Sequence, residues 1–247
     1  MAKNKWRERC EGKAWLSLST AIPGPKAAPG TDTPPTPTTM DAMPSHPLTV
    51  GFDLDMTLLD TRPGIKAAYL ALSAETGTPI DADLVVSRLG PPVDEELRNW
   101  FPADVVAATA DRYREIYPTH AIAPSLALPG ARESVAAIRE RGGRTIVVTA
   151  KHQPSAELHM NHLGIEPDAI IGGLWAEAKG RALREHGAHI YVGDHTGDVR
   201  GARTAGALSV AVTTGPCDAT ELRAAGADVV LSSLTEFPAW LEGYAAR

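Results

Sequence analysis

From residue 48 onward, short apolar or β-branched runs alternate with stretches whose apolar residues recur at helical spacing. Runs at 48–52 (LTVGF), 144–149 (RTIVVT), 168–171, 189–193 (HIYVG), 208–212 and 228–231 have the length and composition of buried strands. Between them, residues 131–141, 155–163, 176–186, 198–205 and 220–225 read as helices. Gly142-Gly143, Gly164, Gly187, Gly206 and Gly226 sit just past successive helices, where a left-handed closing residue is wanted. This alternation predicts an α/β fold, a Rossmann-like, mostly parallel sheet with helices on both faces.

One section breaks the rhythm. Residues 64–127 show helical stretches but no convincing strand: Ile65, Ala68, Tyr69 and Leu72 make one apolar face, and 105–117 carry a second helix. Arg88-Leu89-Gly90-Pro91-Pro92 is a turn between them. The expected organisation is a core from 48–63 and 128–247, with a helical cap (64–127) inserted after the first strand. Such an insert is placed to cover a site at that strand's end; the alternative is a stabilising subdomain that touches no ligand.

Residues 1–47 follow neither pattern. Eight of the chain's 20 prolines fall between Pro23 and Pro47, and no hydrophobic period persists, so disorder is expected. Residues 14–22, behind Lys3, Lys5, Arg7 and Arg9, faintly resemble a secretory signal, but Ser17, Ser19 and Thr20 interrupt it and Glu8 and Glu11 precede it. Translation could instead begin at Met40 or Met43.

Composition narrows the class. With 43% hydrophobic and 22% charged residues, the chain is globular. A net charge of −6 argues against a nucleic-acid partner. Cys10 and Cys217 are far apart with no Cys-x-x-Cys spacing, which fits a reducing compartment, and no apolar run suits a membrane span. A cytoplasmic location without membrane partners is expected; oligomeric state is not readable.

Candidate chemistry concentrates in GFDLDMTLLDT, residues 51–61. Side chains two apart on an extended backbone share a face, so Asp53, Asp55 and Thr57 could converge at the strand's carboxyl end. Two carboxylates this close call for a cation or a shared proton. Downstream, Thr149 ends the RTIVVT run, Lys179 lies near a helix start, and GDHTGD supplies Asp194 and Asp198. Singly, each is an ordinary cap or surface residue; their order and spacing carry the weight.

On these residues the chain resembles the haloacid dehalogenase superfamily, most like its phosphatase branch with a small helical cap, typified by phosphoglycolate phosphatase and β-phosphoglucomutase. The resemblance covers residues 48–235. It implies a phosphatase hydrolysing a small phosphorylated metabolite, with Asp53 as nucleophile and Asp55 as general acid and base. Thr149 would donate to the phosphate, and Lys179 would offset its charge. Mg²⁺ would sit on the Asp53 carboxylate, the Asp55 backbone carbonyl and Asp194, with Asp198 either a ligand or an orienting partner. Thr57, Arg88, Gly90 and Ala150 are the implied substrate contacts, and Arg114 and His152 are further candidates. If Arg88 points inward, a small acid such as phosphoglycolate is attractive; if outward, sugar phosphates and nucleoside monophosphates stay open.

Two departures matter. Lys179 is followed by Gly180 where many relatives have Lys-Pro, and Lys151 is the other lysine between the second and fourth motifs. Gly193 stands where β-phosphoglucomutase-like members commonly carry an acid, which favours phosphatase over mutase. A non-catalytic module of the same fold is the remaining alternative. Retention of Asp55 argues against dehalogenation, which needs no acid to release halide.

Overall fold

The computed structural model describes residues 47–246. The expected disorder, the signal-like stretch and the alternative starts fall outside the described residues. The strands are β1 (Thr49–Phe52), β2 (Leu59–Asp60), β3 (Leu126–Ala127), β4 (Arg144–Val148), β5 (Ala169–Ile171), β6 (Ile190–Gly193), β7 (Leu208–Val212) and β8 (Val229–Leu231). Six of them form one parallel sheet in the order β5-β4-β1-β6-β7-β8. β2 and β3 make a separate antiparallel ribbon. The fold is the expected Rossmann-like α/β arrangement, with strand ends within a residue of those read from the runs.

β1 is central, paired to β4 through Phe52↔Val147 and to β6 through Phe52↔Val192. Its four residues are all buried, which is why it reads as apolar rather than alternating. Val50, Phe52, Val147 and Val192 face helices α5 (Ala131–Glu140), α6 (Gln153–Leu163) and α10 (Phe237–Ala245) through Val135, Ile138, Met160, Phe237 and Leu241. On the other face Ile146, Val148 and Tyr191 meet α7 (Lys179–Glu185) and α8 (Thr196–Ala205) through Leu183 and Ala202. Each fully buried aliphatic or aromatic side chain contributes about 1.5–3 kcal/mol, so this two-sided burial fixes where the strands end. α9 (Ala219–Ala224) lies between β7 and β8. Gly164 and Gly206 close α6 and α8 with φ of 59° and 75°, the left-handed ends expected there.

Between β2 and β3 lie α1 (Arg62–Thr76), α2 (Ala82–Val86), α3 (Val93–Leu97) and α4 (Val106–Ala121). They enclose an apolar cluster of their own, with Tyr69, Leu72, Leu97 and Tyr113 among its members. The ribbon pairing Leu59↔Ala127 and Asp60↔Leu126 brings the two ends of this insert together.

Candidate active site

Three adjacent parallel strands deliver three of the singled-out residues to one rim. Asp53 follows the last residue of β1, Thr149 that of β4 and Asp194 that of β6. The ladder continues through these positions: the Asp53 amide donates to the Val192 carbonyl at 2.8 Å, and the Thr149 amide to Ile171 at 3.0 Å. All three side chains are buried.

Lys179 ties the rim together. Completely buried at the start of α7, its Nζ stands 3.0 Å from Asp53 Oδ1 and 2.6 Å from Asp198 Oδ1. The ammonium also donates to Tyr191 Oη at 2.9 Å, and that hydroxyl donates to the Val148 carbonyl at 2.6 Å. Burial disfavours the Lys179 charge, but Asp198 and Asp53 outweigh it and raise its pKa. Asp198 Oδ2 accepts the His195 amide at 3.0 Å, so both Asp198 oxygens have partners. Gly193 permits this placement, since a Cβ there would lie 2.4 Å from the Asp198 side chain. Thr57 is fully buried and donates to Asp194 Oδ1 at 2.7 Å.

Asp55 belongs to a second chain of contacts that sequence reasoning missed. Its Oδ1 accepts the Thr61 hydroxyl at 2.5 Å and pairs with Lys151 Nζ at 2.9 Å. Lys151 also donates to Tyr117 Oη at 2.8 Å, which lies 2.9 Å from His159 Nε2. Tyr117 comes from α4 and His159 from α6, so the chain joins the helical insert to the core. The sequence offered Lys151 as second choice to Lys179; nothing in the spacing connects either Tyr117 or His159 to Asp55.

The insert supplies the opposite wall. Arg88, Gly90 and Ala150 line a cavity of about 350 Å³ that has Asp55 at its base, together with Arg114, Lys151 and His152. Arg88 faces this cavity but is paired to Glu96. Gly90, at φ 138°, packs so close to the core that a Cβ would meet His195 at 2.9 Å and Trp175 at 3.0 Å.

Electrostatics divide the carboxylates. Burial pushes Asp53 up to about 6, with Lys179 pulling it down and Asp198 and Asp55 pushing it further up. Burial, Asp198 and Asp53 push Asp194 well above the carboxylate range. Asp55 is also disfavoured by burial, yet Lys151 and the Thr61 hydrogen bond hold it below its ordinary value. Ligand atoms of Asp53, Asp194 and Asp198 lie within 4.8 Å of one another. Four carboxylates (Asp53, Asp55, Asp194, Asp198) face two ammonium groups (Lys151, Lys179), a shortfall of two positive charges. A divalent cation held by oxygen ligands fits that shortfall.

Residues 50–212 match the haloacid dehalogenase-like hydrolase family. The chain belongs to that family. Tyrosine-protein kinase PtkA of Mycobacterium tuberculosis is 29% identical over 180 residues, 67% of this chain and 62% of that protein. The chain thus spans about three-fifths of that relative's length. A phosphoglycolate phosphatase of Chromobacterium violaceum is 29% identical over 218 residues, covering 77% of this chain and 95% of its own. Among solved structures, the haloacid dehalogenase-like hydrolase SP0104 of Streptococcus pneumoniae superposes with a TM-score of 0.70 at 25% identity. That match covers 78% of this chain and 98% of the other. Among the described residues, no helix is long and apolar enough to cross a membrane.

Proposed function

We propose that this hydrolase is a Mg²⁺-dependent phosphatase of a small phosphorylated metabolite, acting through an aspartyl-phosphate on Asp53. One observation carries the reading: the buried Asp53 carboxylate, 3.0 Å from Lys179, stands at a strand end beside Asp194 and Asp198. The Lys179 ammonium paired with its Oδ1 favours the charged form that a carboxylate nucleophile needs.

In the first step an Asp53 oxygen bonds to phosphorus and the ester P–O bond breaks. The departing alkoxide takes a proton from Asp55. In the second step water attacks phosphorus and Asp55 accepts its proton. The Asp53–phosphorus bond then breaks, releasing inorganic phosphate. Asp55 paired with Lys151 is ionised, the form the second step needs; serving the first requires that pair to open and Asp55 to regain a proton. The Thr149 oxygen accepts the Lys151 amide at 3.2 Å, leaving its own hydrogen to donate to a phosphate oxygen. Lys179 keeps Asp53 ionised and offsets phosphate charge. Mg²⁺, on Asp53, Asp194 and the Asp55 carbonyl, would supply positive charge against the phosphate oxygens. Asp198, with both oxygens engaged, orients Lys179 in this reading rather than binding metal.

The runner-up is a phosphomutase, and Gly193 speaks against it: its close approach to Asp198 leaves no room for an acidic side chain. The phosphatase name of the Chromobacterium relative supports hydrolysis, whereas the mycobacterial relative is named for transfer to tyrosine. Product analysis separates the readings, since hydrolysis alone yields free phosphate without a phosphorylated acceptor. Asp53→Asn should lower phosphate release by about 10³-fold or more. Excess chelator should silence the wild type and Mg²⁺ restore it. Full turnover by the variant would remove Asp53 from the mechanism, and full turnover in chelator would remove the metal.

A further inference from the structure

The cavity over Asp55 has three cations on its wall, Arg88, Arg114 and Lys151. Each is already paired. Arg88 grips Glu96 through two nitrogens, at 2.9 and 2.5 Å, with side chains only 10% and 12% exposed. The Trp100 indole N–H holds the same carboxylate at 2.8 Å. Arg114 bridges Asp94 at 2.5 Å and Asp111 at 2.8 Å, and Lys151 is on Asp55 at 2.9 Å. Four carboxylates therefore face three cations around this space, and the rest of the wall is largely apolar, with Ile65, Tyr69 and Leu89. Burial and the nearby Arg114 charge also lower the His152 pKa, which disfavours an imidazolium on this wall.

We propose that the alcohol esterified to phosphate carries no negative charge: the substrate is a phosphate monoester of a small neutral or cationic alcohol, not of a hydroxy acid. The proposal rests on the phosphatase reading and names the substrate class of that same site. A carboxylate on the leaving group would need a cation, and the Arg88 fork is filled by a carboxylate of the protein itself. Opening that pair would leave Glu96 as an unpaired like charge beside the incoming acid. The rim offers no substitute, because Arg114 brings two acids with it. A cavity of about 350 Å³ lies at the small end of ligand pockets and has room for a small leaving group.

The test is a comparison of kcat/KM for phosphate release by the full chain with Mg²⁺. Substrates are glycerol phosphate (neutral), phosphoethanolamine (cationic) and phosphoglycolate (anionic), with acetyl phosphate as reference. The better of the first two should exceed phosphoglycolate at least about tenfold. Glu96→Gln, which removes the internal competitor while keeping side-chain length, should raise the ratio of phosphoglycolate to glycerol phosphate at least about fivefold. Wild-type preference for phosphoglycolate, or parity with it, overturns the proposal. An unmoved ratio in the variant overturns the part assigned to the Arg88–Glu96 pair. Failure of the phosphatase reading shows separately: acetyl phosphate would then survive wild-type enzyme, or be hydrolysed equally by Asp53→Asn.

Discussion

His159 is buried on α6 with its Nε2 beside the Tyr117 hydroxyl. That hydroxyl accepts from Lys151, and toward Nε2 it donates or accepts according to the imidazole tautomer. Nδ1 has no partner among the described residues. Burial, reinforced by the nearby Lys151 charge, lowers the His159 pKa from 6.5 to about 3. The unfolded chain therefore binds a proton that the folded chain refuses. Stability from this residue is complete above about pH 6.5 and is lost as pH falls toward 3. At pH 5 the loss is about 2 kcal/mol. In urea unfolding, His159→Gln should show a fall between pH 7.5 and pH 5 that is smaller by about that amount. Equal falls in the two proteins would mean the imidazole is charged when folded. The sequence revealed none of this, because a histidine on an amphipathic helix carries no mark of what it will face. Asp53, Thr149 and Asp194 were readable for the opposite reason: each directly follows an apolar run, and the end of a parallel strand fixes position without knowledge of packing.

At the scale of elements, α4 shows where local rules gave way. The sequence placed its end near Tyr117, ahead of Pro118, yet the helix runs Val106–Ala121 with the proline inside. A proline forfeits one helical hydrogen bond, and burial of Ile116, Tyr117 and Ala121 compensates. β2 and β3 were unreadable for another reason, since two-residue strands 67 positions apart (Leu59 to Leu126) leave no periodic trace. α10 was also missed: it begins with proline in its first turn and anchors through Phe237 against Phe52, with ring centroids 5.6 Å apart. Where α4 meets α6, Tyr117 is the joint between insert and core. Tyr117→Phe would leave Lys151 and His159 each short of one buried partner, a cost of about 1–3 kcal/mol. It should also let Lys151 drift from Asp55, with kcat/KM falling about tenfold. A variant with wild-type urea midpoint and wild-type turnover would show that this joint carries neither load.

Among the described residues, the insert encloses an apolar cluster separate from those packed on the sheet, and the proposed reacting groups lie where insert and core meet. The carboxylates and Lys179 belong to the core, whereas most of the cavity wall belongs to the insert. Catalysis at such a seam depends on how closely the two parts approach. Gly90 is the sharpest gauge of that approach, held at φ 138° against His195 and Trp175 with no space for a Cβ. Valine at this position adds both a steric wedge and a strained backbone. Gly90→Val should therefore hold the insert away from the rim without removing a catalytic group. For substrates whose leaving group fills the cavity, KM should rise and kcat/KM fall by about tenfold or more. Acetyl phosphate, whose leaving group barely enters the cavity, should suffer much less. The urea midpoint should fall by no more than that backbone strain, about 1–3 kcal/mol, since Gly90 sits in a turn outside the apolar clusters. An equal loss for both kinds of substrate would mean the damage had reached the core. Unchanged kinetics would mean that contact between Gly90 and the core is dispensable, and that the insert closes over its substrate by some other surface.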